Sequence, residues 1–168
     1  GGGAAILRGR VLLALAAATL GRGGSTAPAE AESLYREALA TADAEERSVH
    51  GWSVNVLEHW QAHAQPPFVR RPQPARAALA TLLQARGQHR EALSLLCIQR
   101  KGLREAVARH GGEAEGGGYA DGTGGGNVAA ELAYTCGRLA LSAFAVRREG
   151  LAMASLREAA RLRLIGTG

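Results

Sequence analysis

His59 and His63 stand one helical turn apart with Glu58 beside them, so two imidazoles and a carboxylate could face one cation. A zinc site needs further ligands, and none follows at a recognisable spacing; His50 or His89 would have to be brought in by the fold. Without them the pair reads as two polar-face histidines next to Trp60, and no metal is expected. Gly122-Thr123-Gly124-Gly125-Gly126-Asn127 precedes a helical stretch, where backbone N–H groups can hold phosphate. A phosphate loop also needs a strand before it and Lys-Ser/Thr after it, and both are missing here, so a flexible insertion is the better reading. Gly21 to Thr26 fails on the same grounds. No acid/base pair, nucleophile constellation or cofactor motif remains, so the expectation is a protein that is not an enzyme and carries no cofactor.

Charge offers a second chemistry. The net charge is +5, and Lys101 is the single lysine among twenty basic residues. Guanidinium groups bind carboxylates and phosphates in bidentate fashion. Arg100, Lys101, Arg104 and Arg109 form a basic side on one predicted helix. With Arg70, Arg71 and Arg76 they make a candidate phosphate-contacting patch. Aromatic residues for stacking on bases are not interleaved with them, which argues against sequence-specific RNA reading. Elsewhere bases alternate with acids, as in Arg36-Glu37, Arg90-Glu91 and Arg157-Glu158, the pattern of solvated helix faces. Trp52 and Trp60 are eight residues apart and share a helical face: core by default, a partner anchor if their helix lies at an edge. Arg70-Arg71, in the proline-rich Pro66 to Pro74, reads as part of a stiff linker or as a docking peptide. Cys97 and Cys136 have no metal spacing, and both fall in apolar helical stretches.

These residues must be carried by helices. Hydrophobic residues make up 46% of the chain but aromatics only 4%, and alanine supplies much of the apolar content, so helices are expected to approach closely. Strand-like alternation is nearly absent. From Glu30 to Ala42 the small and apolar residues Ala31, Leu34, Tyr35, Ala38, Leu39 and Ala42 follow the spacing of a helix with one buried face. Echoes run from Arg90 to Leu96 and from Leu151 to Leu162. The expected elements are an all-round apolar first helix from Ala5 to Leu20, a second ending near Asp43, and a third from Ala44 to Ala64. A fourth follows from Ala75 to Arg86 and a fifth from Gln88 to His110, the latter bent or broken at Gly102. The sixth runs from Val128 to Val146 with Asn127 as its cap, and the seventh from Arg148 to Ile165. Gly111 to Gly126 holds nine glycines and is expected to be a mobile, disordered loop. The ten residues Val11 to Leu20 resemble a signal-peptide or transit-peptide core but are too short to span a bilayer, so membrane insertion is not expected. Gly1-Gly2-Gly3 with no initiator methionine suggests a processed product, an excised piece or an incomplete chain.

In three places an apolar helix is followed by a second helix bringing Ala, an aromatic or Leu, then a small-apolar pair. They are Leu13-Ala14 to Gly21 then Ala31, Tyr35 and Ala38-Leu39; Leu79-Ala80 to Gly87 then Ala92 and Leu96; and Leu139-Ala140 then Ala152, Leu156 and Ala159-Ala160. This resembles the tetratricopeptide repeat family in degenerate form. The anchor alanines are 92 − 31 = 61 and 152 − 92 = 60 residues apart, against about 34 in that repeat. The second copy has Gln99-Arg100 in place of Ala-Leu, and the third has Arg147 in place of the closing glycine.

The resemblance implies an all-α, right-handed helix-pair solenoid of about seven helices. The pairs would span 5–43, 75–110 and 127–165 of one domain, with 44–64 as an extra helix, 65–74 as a linker and 111–126 as the glycine-rich loop. It also implies a concave surface made by the first helix of each pair, with Arg10, Arg76 and Arg138 as candidate partner-binding residues. The function expected is a protein–protein interaction scaffold within a larger assembly, its partners other protein subunits, in an intracellular setting, cytoplasmic or organellar. The alternative is an arginine-rich, RNA-contacting accessory subunit of an organellar ribonucleoprotein; a helical enzyme or metal-binding protein comes last.

Overall fold

The computed structural model describes residues 2–57, 74–111 and 125–165. Among them there are six α-helices and no strand: α1 (Gly2–Arg22), α2 (Ala27–Leu57), α3 (Pro74–Ala85), α4 (His89–Gly111), α5 (Gly125–Ala145) and α6 (Glu149–Ile165). The all-α class follows from a chain rich in Ala, Leu, Arg and Glu, all strong helix formers. The helix count differs from the expected seven because α2 is continuous across the boundary drawn at Asp43 and Ala44. The sequence there, Ala42-Asp43-Ala44-Glu45-Glu46, holds no glycine or proline, so nothing in it interrupts the hydrogen-bond ladder. Helix α4 likewise runs unbroken through Gly102, which is buried and therefore held by its surroundings. Helix α5 starts before the expected cap Asn127, at Gly125. The glycine-rich segment 112–124 and the proline-rich 58–73 lie outside the described residues.

The chain forms two compact units, Gly1–Leu82 and Leu83–Gly168, with α3 beginning in the first and ending in the second. In the first unit α1 packs on α2. Ala16 and Thr19 of α1 are buried, as are Ala27, Ala31, Tyr35 and Ala38 of α2. The alanines let the two backbones approach, and Tyr35 supplies the bulk that they lack. Thr19 is satisfied inside the helix, its Oγ1 donating to the Leu15 carbonyl at 2.8 Å. The first helix is less enclosed than its apolar sequence suggests: Leu7 is 64% exposed, and Val11, Leu15 and Leu20 are exposed too.

In the second unit α5 packs on both α4 and α6. Leu103 of α4, Leu132 and Cys136 of α5 and Ala159 of α6 form a buried cluster, with Val107, Val128 and Leu162 against it. Leu139, Ala140 and Ala143 of α5 and Ala152 of α6 are buried as well.

The turns after α3 and α5 share one geometry. Gly87 N–H donates to the Gln84 carbonyl at 3.0 Å and Gln88 N–H to the Leu83 carbonyl at 2.8 Å. Sixty positions on, Arg147 N–H donates to the Phe144 carbonyl at 3.0 Å and Arg148 N–H to the Ala143 carbonyl at 2.8 Å. Both are Schellman caps, in which a left-handed residue turns the chain back to satisfy the last helical carbonyls. Gly87 takes φ +74° and Arg147 takes φ +59°. The turn after α5 thus has the same geometry as the turn after α3, with Arg147 standing where the latter has Gly87.

Candidate functional site

A cluster of charged side chains in the second unit lies between α4 and α6. Arg100 and Arg104 are one turn apart on α4, and Arg157 and Arg161 one turn apart on α6. Together with Ala154 and Glu158 they line a cleft of about 450 Å³. Glu158 accepts from Arg104 through both carboxylate oxygens, with Nη2 at 2.7 Å from Oε2, and lies 3.1 Å from Arg100 Nε. Ser155 sits against the Arg100 guanidinium at 3.5 Å and donates its own proton to the Leu151 carbonyl.

Burial works to raise the Glu158 pKa. The Arg104 hydrogen bond, the charges of Arg100 and Arg104 and the Cys136 thiol outweigh it, so the carboxyl stays below its usual range. Cys136 moves the other way: burial first, then the Glu158 charge, pushes its thiol up to about 12. It is a buried, protonated thiol, whereas Cys97 is exposed. What the cleft can do is hold an anion, because four arginines line it and its one carboxylate is shared by Arg100 and Arg104.

A second network joins the end of α3 to α5. Arg138 donates through Nε at 2.9 Å and Nη2 at 2.7 Å to Gln84 Oε1. Gln84 Nε2 in turn donates to the Arg138 carbonyl at 2.9 Å and to Ser142 Oγ at 2.7 Å. The Arg138 guanidinium also lies 5.7 Å from the centre of the Tyr134 ring. One glutamine amide thus satisfies several buried polar groups of α5.

The residues singled out by sequence separate accordingly. Arg76 and Arg138 are buried, not laid out on an open surface: Arg76 donates to Asp43 at 2.9 Å and Arg138 to Gln84. The burial has a cause, since each charge finds a polar partner at the edge of a small-residue core. Arg10 and Lys101 are exposed. Arg100 and Arg104 belong to the cleft. Arg109 lies in the last turn of α4 and Trp52 near the end of α2. Trp60, Arg70, Arg71, Glu58, His59 and His63 lie outside the described residues. Among the described residues no three His, Cys, Asp or Glu side chains converge as a metal site.

Arg157, Glu158 and Arg161 were missed. Their signal was the second Arg pair at one-turn spacing, which becomes part of a site only when the fold sets it against Arg100 and Arg104. Also missed was the exposed apolar set on α5, where Tyr134 is 60%, Leu141 66% and Phe144 44% exposed. Leu141 follows Tyr134 by seven residues and precedes Phe144 by three, so all three share one side of the helix. No protein-family model, curated protein or solved structure matches the chain.

Proposed function

We propose that the chain is a non-catalytic protein–protein interaction scaffold, working within a multiprotein assembly. The observation that carries this reading is the exposed apolar side of α5, Tyr134, Leu141 and Phe144. Solvated surfaces tolerate single apolar residues, but an aligned set with two aromatics on one helix side is the composition of a binding face. Leu7, Val11 and Leu15, spaced by four on α1, repeat the feature. The finer architecture proposed is a tetratricopeptide-like, right-handed array of helix pairs. Its support is the agreement of the two closing turns, and of the buried pairs Leu79-Ala80 and Leu139-Ala140, at an offset of sixty residues. In such an array α1 and α5 are both first helices, the ones that face the ligand. Among the described residues no helix is long and apolar enough to cross a membrane.

Affinity capture from the native source with mass spectrometry, with and without nuclease, tests the reading against Leu141→Asp/Phe144→Asp. Wild-type chain should retain a defined set of protein partners after nuclease, and the double variant should lose them while staying folded. Partners that vanish with nuclease, or that bind the variant equally, would overturn it.

A further inference from the structure

The cleft between α4 and α6 has more positive charge than its own fold uses. Arg100 and Arg104 are committed to Glu158, which fixes their position. Arg157 and Arg161 are exposed and have no acidic partner among the described residues, although they line the same cleft. Four arginines and a single carboxylate line the cleft, and that carboxylate is shared by Arg100 and Arg104, so the lining carries an excess of positive charge that a further anion would relieve. From this arrangement we infer that the cleft binds the carboxylate side chains of an acidic segment on a partner protein, with Arg157 and Arg161 as the receiving pair.

The guanidinium fork matches a carboxylate bidentately, and two forks one turn apart on one helix can receive two acidic side chains of an extended peptide. The choice of peptide over nucleic acid follows from the rest of the lining. No aromatic ring is present for a base to stack on, and the wall contains Ala154. Met153, one turn before Arg157, is exposed and offers an apolar contact suited to a peptide side chain. The inference rests on the reading of the chain as a protein-interaction scaffold, and it adds a second, polar contact surface on other helices than the apolar side of α5.

The test is a fluorescence-anisotropy titration of labelled poly-glutamate peptide into the full chain at low and high salt. Arg157→Gln/Arg161→Gln should weaken binding about tenfold or more at low salt, and the affinity of the wild type should fall as salt rises. Arg90→Gln/Arg148→Gln removes the same charge from exposed positions elsewhere and should leave binding unchanged. Arg157→Lys/Arg161→Lys keeps the charge without the fork, and an intermediate affinity is expected. Leu141→Asp should bind the peptide as the wild type does, so failure of the α5 face and failure of the cleft are told apart. Three results would overturn the assignment: equal binding by the Arg157→Gln/Arg161→Gln variant, an equal loss in the control pair, or tighter binding of a single-stranded RNA of matched charge that depends on the same two arginines.

Discussion

Glu158 joins three partners that lie between twenty-two and fifty-eight positions before it in the sequence: Arg100, Arg104 and Cys136. Because its folded pKa lies below the unfolded value of about 4.3, the stabilisation is complete above that value and disappears as pH falls through the folded pKa. Glu158→Gln should therefore cost about 1–2 kcal/mol at neutral pH, with only a small share from the half-exposed Arg104. The difference from wild type should stay flat from pH 7 to about 5 and close below about 4.3, as read by urea unfolding at each pH. The same site makes Cys136 inert. With its thiol at about 12 and buried, iodoacetamide should label Cys97 and spare Cys136 in the folded chain; equal labelling would contradict this geometry. Gln84 is a third case. Gln84→Leu should cost about 1–3 kcal/mol in chemical denaturation, because Ser142 and Arg138 lose a partner together.

At the level of elements, the two Schellman turns give the sharpest comparison. A Cβ at Gly87 would meet nothing within 4 Å, so Gly87→Ala carries only the backbone penalty of a left-handed residue, about 1 kcal/mol. Arg147 already bears that penalty, and Arg147→Gly should stabilise by about 0.5–1 kcal/mol. Thermal unfolding of the two variants should shift in opposite directions. Helix type and much of the buried faces were legible from spacing: Ala31, Tyr35 and Ala38 point inward as the pattern requires, whereas in α6 Ala152 and Ala159 do so and Leu156 of the same pattern is exposed. Helix ends were less legible. The sequence reading ends a helix near Asp43, yet Asp43-Ala44-Glu45-Glu46 contains no breaker, and helices end at breakers or caps. Arg147 shows the opposite case, a cap retained without its glycine because the tertiary setting fixes the turn. The Gln99-Arg100 departure has its explanation in space: Gln99 is buried and donates to Glu131 at 3.3 Å, while Arg100 reaches Glu158.

For the whole molecule, the binding surfaces were the least legible part. Residue type showed that Arg100 and Arg104 could meet an anion, but their completion by Arg157 and Arg161 depends on a contact between helices more than fifty residues apart. Arg76 and Arg138 had been expected on an open surface because first-helix arginines in a repeat face the ligand; here burial and hydrogen bonding engage both. The apolar side of α5 was hidden in a helix whose every face is rich in Ala and Leu, where sequence does not distinguish a covered side from an open one. That open side carries the proposed function, and it can be probed directly. A photo-crosslinking amino acid placed at position 141, in an extract of the native source, should yield a few discrete protein adducts, while the same probe at the exposed position 94 of α4 yields none. Nucleic-acid adducts at position 141, or no adduct above the position-94 control, would contradict a protein-binding scaffold.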